Sequence, residues 1–169
     1  MSVLDVIKTR HSIRKYKSMP VEDEKLMSVL EAGRLAPAAN NAQQWKFIVV
    51  RDKDLINKLV PACGGQSFIA EAPIVLVFCA VGDERMMYCG QPAATVDCSI
   101  ALSFMILEAS ELGLSTCWLG YFNNDKVKRV LNVPADSNVV AVTPLGYADG
   151  TAAARPRKEI SEVVAYDGW

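Results

Sequence analysis

The stretch from Thr95 to Leu112, "TVDCSIALSFMILEASEL", limits how this chain can fold more than any other. It is helical in composition and apolar nearly all round, and Gly113 stands at the natural C′ position to close it. A helix without a polar stripe has to be covered on all sides, either by a sheet of its own domain or by another subunit. Asp97, Glu108 and Glu111 interrupt it, which makes it a poor membrane span.

Helices and strands alternate around it. Ser2 and Asp5 read as N-cap and first-turn acid of a short helix through Val3, Leu4, Val6 and Ile7. "RHSIRKYKSMP" follows as an extended or irregular segment. Pro20 with Glu22, Asp23 and Glu24 opens a second helix, with apolar positions Leu26, Val29, Leu30 and Leu35 and a stop at Pro37. "KFIVV" predicts a strand and "DKDLINKLVPA" a helix. The continuous apolar run "APIVLVFCAV", 72–81, predicts a central strand covered on both faces. "STCWLGYF" predicts a strand entering a loop, and Asn124 and Asp125 cap a helix through Val127, Val130 and Leu131. "NVVAVTPLGYA" is the last predicted core strand, before the basic tail "RPRKEISEVV". The 169 residues fit one domain, α/β or α+β, with a central sheet flanked by helices.

Several function classes are disfavoured at once. With 18 basic and 19 acidic residues the net charge is −1, so no global field argues for nucleic acid or an anionic membrane. The opening residues read as an amphipathic helix rather than a secretory signal. The five cysteines are odd in number and form no CxxC or CxxH, which disfavours disulfides and zinc and points to reduced thiols in a cytoplasm. Any Ser-His-Asp or Cys-His catalysis would have to run through the single histidine, His11.

Three motifs remain. In "RHSIRKY", Arg10, Ser12 and Arg14 lie two apart, so in an extended chain they project to one side. Two guanidinium forks and a hydroxyl suit an oxyanion, whereas the bland reading is a solvated basic loop. Arg155 and Arg157 repeat the spacing near the other end; alone they read as a solvated tail, but if that tail folds back onto the first cluster the four arginines converge, which is tolerable only around an anion. No G-x-G-x-x-G after a strand and no Walker lysine is present, so a phosphate here would be gripped by side chains. "PAANNAQQW", 37–45, offers amides that suit a heterocycle's edge, or simply a polar loop. "GLSTCWLGY" offers Gly120, where backbone can approach a flat ligand, or a packing glycine.

In this order and at these distances the motifs resemble the nitroreductase family of FMN oxidoreductases, over nearly the whole chain. The resemblance implies an α+β sandwich, a mostly antiparallel central sheet flanked by helices, formed by 1–169 as one FMN-binding domain. It also implies a homodimer with two FMN molecules at the interface, in which the apolar helix forms much of the dimer core. Arg10, His11, Ser12 and Arg14 then match the segment that contacts phosphate and ribityl, and Arg155 and Arg157 complete the grip. Pro37, Ala38, Ala39, Asn41 and Gln43 match the loop that reaches the flavin from the partner. Gln66 corresponds to a residue at the flavin's edge, and Leu119 and Gly120 to the strand end whose backbone meets the ring near N5. Neither a catalytic side chain nor a metal is implied. NADH or NADPH passes hydride to the flavin and leaves, and a nitroaromatic, quinone or similar electron-poor acceptor replaces it, in ping-pong order.

The chain departs from the family pattern in three places. Gln44 stands where proline is frequent, Ala38 and Ala39 stand where serines are frequent, and the segment 82–94 is short where larger members carry a roof over the site. Tyr88 and Cys89 lie in that segment. A module that stores FMN or senses redox state with little turnover is the alternative from another class.

Overall fold

The computed structural model describes residues 2–82, 85–152 and 155–169. Its sheet has four strands, β1 (Trp45–Val50), β2 (Ile74–Ala80), β3 (Ser115–Thr116) and β4 (Asn138–Gly146), in the order β1-β2-β4-β3 with every pair antiparallel. β2 is central, as its unbroken apolar run requires, and all seven of its residues are buried. Alternate residues of a strand face opposite ways, and this divides the core in two. Val75, Val77 and Cys79 join Ile56, Leu59, Ile69, Val127 and Val142 on one face; Ile74, Leu76 and Phe78 join Leu26, Val29, Leu102, Met105 and Leu145 on the other.

The first face is covered by α3 (Lys53–Ala62) and α5 (Asn124–Leu131), the second by α2 (Asp23–Arg34) and α4 (Ala93–Glu111). Local chemistry sets the helix ends. In α1 (Val3–Thr9) Ser2 is the N-cap and Asp5 the first-turn acid, as expected, and the two bond reciprocally as a capping box. Asp52 caps α3 by accepting from the Leu55 N–H at 2.8 Å. The cap of α5 is Asn123, not Asn124 or Asp125, because Asn124 turns its side-chain oxygen to the Val139 N–H at 2.9 Å and ties helix to sheet. Leu35 is exposed rather than part of the buried stripe of α2, since the helix ends at Arg34 and Leu35 is already its C-cap. The strand expected over "STCWLGYF" shrinks to Ser115–Thr116, followed by a single bridge from Leu119 to Val142.

The apolar helix α4 is covered only in part by its own chain. Ala94, Asp97, Cys98, Ala101, Leu102, Met105 and Ala109 are buried, while Ser103 and Phe104 are exposed. It is the one helix among the described residues long and apolar enough to cross a membrane, and half of that stretch is buried against the rest of the chain.

Gly146, the last residue of β4, lies where a Cβ would stand 2.7 Å from the Pro73 ring and 3.2 Å from the ring of Tyr16. The proline ring cannot swing away, so Gly146→Ala is expected to destabilise the chain by about 1–3 kcal/mol. A denaturant melt checks it, and an unchanged midpoint would show that the neighbours yield freely.

Candidate functional site

The segment after α1 runs extended between β3 and the chain beyond β4. Ser12 pairs with Thr116, the Ile13 N–H donates to the Thr116 carbonyl at 2.9 Å, and Tyr16 pairs with Ala148. Lys15 forms an ion pair with Asp149 at 2.8 Å, and the Tyr16 N–H donates to the Glu71 carboxylate at 3.1 Å. Tyr16 is buried and its hydroxyl donates to the Ile13 carbonyl; burial raises its pKa and keeps it neutral. Held in this way, the segment turns Arg10, Ser12 and Arg14 outward.

These three residues line one cavity of about 440 Å³ together with Lys8, His11, Arg155 and Arg157. The two basic pairs from opposite ends of the chain therefore converge. The ion pairs found among the described residues (Lys15–Asp149, Lys25–Glu22, Arg34–Glu31 and Arg51–Asp23) leave all four arginines out. Arg10 and His11 also line an adjoining hollow of about 480 Å³ with Thr9, Ser110 and Thr116. Asp149 lines the hollow beside Arg14 and Arg155 but is paired with Lys15; clustered guanidinium groups without carboxylate partners of their own repel one another, and an oxyanion relieves that repulsion through bidentate bonds. The donor set fits a phosphate.

Cys117 is buried beside this cluster. Burial raises its pKa, while Arg14, Ser12 and Arg10 pull it back. Cys63 and Cys79 are pushed up to about 11 and Cys98 to about 12 by burial, so these thiols stay protonated at neutral pH and act as core residues. No disulfide forms among the described residues, and no group of three or more metal-ligating side chains occurs there.

Gly120 is exposed, with open space where a Cβ would stand. Its neighbour Leu119 is buried and exchanges both backbone hydrogen bonds with Val142, which leaves Gly120 as the exposed stretch of backbone at this strand end. Gln66 lies alongside: its amide donates to the carbonyls of Cys63 at 3.0 Å and Tyr121 at 3.2 Å. That bracing holds the chain just after Gly120.

The loop Pro37–Gln44 lies elsewhere in the subunit and lines none of the cavities above. Asn40, Asn41 and Gln43 all have positive φ, at 55°, 53° and 51°, and the Gln43 amide folds back onto Asn41. The Ala39 N–H donates to both carboxylate oxygens of Asp97 at 3.1 Å, and Arg85 donates to the Ala39 carbonyl at 3.1 Å. Sequence reasoning missed Asp97 and Arg85 as partners of this loop; the available signal was a lone carboxylate early in an otherwise apolar helix. Lys8 and Glu71 were missed as well, with no local pattern to mark them. Of the short segment 82–94, Asp83 and Glu84 lie outside the described residues, and Tyr88 and Cys89 are exposed.

Helices on both faces of an antiparallel sheet, with an arginine-lined cavity beside the segment bridged to β3, define an α+β sandwich with a candidate anion site. The Nitroreductase family profile matches residues 7–81 and 62–147, and the chain belongs to that family. It is 34% identical to a protein of Archaeoglobus fulgidus described as an NADH dehydrogenase/NAD(P)H nitroreductase, over 85% of this chain and 84% of that one. A nitroreductase family protein from Clostridium difficile 630 superimposes with a TM-score of 0.90 at 31% identity, covering 100% of both chains. An FMN-dependent nitroreductase from Clostridium difficile R20291 does so with a TM-score of 0.86, also at 31% identity, covering 98% of this chain and 99% of the other.

Proposed function

We propose that this chain is an NAD(P)H-dependent flavin oxidoreductase whose single domain, 1–169, binds FMN and reduces nitroaromatics, quinones or similar electron-poor acceptors in the cytoplasm. The observation that carries the reading is the convergence of Arg10, Arg14, Arg155 and Arg157 with Ser12 on one cavity. The names of relatives that use NAD(P)H or depend on FMN agree with it.

FMN held by Arg10, Ser12, Arg14, Arg155 and Arg157 would supply the hydride chemistry between NADH or NADPH and the acceptor. The residues of the chain bind and orient. The arginines neutralise a phosphate of charge near −2, and Ser12 adds a hydroxyl beside them. Gly120 lets backbone come within contact of a flat ring, because no side chain stands in the way. Gln66 keeps the chain beyond Gly120 in place through the Tyr121 carbonyl. Solvent supplies the protons, so no side-chain acid or base is assigned.

The site is completed by a second copy of the chain. The loop with Pro37, Ala38, Ala39, Asn41 and Gln43 lines no arginine cavity of its own subunit, which is what a loop serving the partner's flavin would show. The uncovered side of α4 and the wholly exposed stretch 155–169 give that copy apolar surface to bury.

The test is a visible spectrum after reconstitution with FMN and desalting, followed by anaerobic NADH or NADPH. A retained flavin spectrum that bleaches, with multiple turnovers once an acceptor is added, is the expected result. Retained flavin that neither nucleotide bleaches would make the protein a flavin-binding module, and no retained flavin would overturn the reading.

A further inference from the structure

We propose that Asp97 is a positioning residue that holds the 38–44 loop in the shape with which it meets the flavin; the flavin part rests on the reading above. Three non-glycine residues with positive φ within four positions are a costly conformation, and Gln43 lacks the short side chain that makes this region tolerable for asparagine. Such strain persists only where surrounding structure over-determines it.

The structure supplies that constraint at Ala39, immediately before the first left-handed residue. Asp97 takes the Ala39 N–H with both oxygens, and Arg85 takes the carbonyl from the other side. The two successive peptide planes around Ala39 are thereby set, and with them the entry into Asn40. At the far end of the loop the Gln44 carbonyl accepts from the Val81 N–H at 3.1 Å, just beyond β2.

Asp97 is only 3% exposed and sits on the buried face of α4 with Ala94, Cys98 and Ala101. A carboxylate there costs free energy that an alanine would not, unless it is hydrogen-bonded. Its hydrogen-bond partner among the described residues is the Ala39 N–H. Helix packing alone gives no reason for an acid at this position; the loop does. Because α4 is anchored by Leu102 and Met105 in the core, the carboxylate offers a rigid post to an exposed loop. A loop already shaped loses less freedom when the cofactor arrives.

The experiment compares the intact chain with Asp97→Ala, Asp97→Asn and Arg85→Ala by amide hydrogen exchange over 38–44 without FMN, and by FMN titration. The Ala39 amide is expected to be protected in the unsubstituted protein. Asp97→Ala loses that protection and weakens FMN binding by roughly fivefold or more. Asp97→Asn, whose side-chain oxygen still accepts the bond, stays within about threefold. Free exchange at Ala39 in the unsubstituted protein overturns the proposal, and so does an Asn variant as damaged as the Ala variant. Should Asp97→Ala fail to fold, the exposed Arg85→Ala decides: unchanged loop exchange there overturns the proposal. Lost protection with unchanged FMN affinity overturns the flavin part alone, while failure of the unsubstituted chain to bind FMN overturns the function proposed above.

Discussion

Arg14→Ala is expected to weaken FMN binding at least about tenfold, which corresponds to about 1.4 kcal/mol. The expectation follows from what the side chain has and lacks. Arg14 is exposed, lines both hollows of the candidate anion site and takes part in none of the described ion pairs, so its removal leaves no orphaned carboxylate and costs the fold little. A charge-assisted hydrogen bond to phosphate contributes about 1.5–3 kcal/mol, and a guanidinium fork offers two. Arg14→Lys keeps the charge and loses the fork, so it should fall between the two. A fluorescence titration of FMN measures all three proteins. Affinity unchanged in Arg14→Ala would sink the phosphate assignment, whatever the activity does.

Deleting Glu159–Trp169 is expected to turn the proposed dimer into a monomer. Every residue from 155 to 169 is exposed in the single chain. Ile160, Tyr166 and Trp169 are among the most exposed large apolar residues of the protein, at 74%, 87% and 118% of their reference areas. Burying three side chains of this size on a partner stabilises association by about 1.5–3 kcal/mol each before losses are counted. Val3, Leu4 and Ile7 of α1 and Phe104 of α4 add further exposed apolar surface. The truncation spares Arg155 and Arg157, so the anion cavity of each subunit keeps its side chains. Light scattering with FMN titration separates the two effects: a truncated chain that remains dimeric would remove the tail from the interface. A stable, FMN-loaded monomer of the intact chain would contradict the shared site itself.

Much of this architecture is readable before any coordinates. The apolar run of β2 and the N-cap at Ser2 with Asp5 in the first turn are patterns written within a few residues. Where reading failed, a distant partner had intervened. Asn124 lost its capping role because Val139 needed an acceptor. The strand begun at Ser115 stops early because, after Ser115 and Thr116, only Leu119 finds a partner on β4. The apolar helix is half covered rather than enclosed because composition records how much surface must be buried, not by which chain.

The candidate site divides along the same line. Spacing alone placed Arg10, Ser12 and Arg14 on one side of an extended segment, since the two-residue period of such a segment is a property of the backbone. Local sequence also marked Gly120 as a place of close approach. Only the tertiary structure brought Arg155 and Arg157 to the same cavity, joined Ala39 to an aspartate 58 residues away, and braced Tyr121 with Gln66. Dihedral preferences and periodicity act over a few residues and are written into the chain, whereas long-range hydrogen bonds and charge convergence come into being only when packing of the two cores brings those segments together.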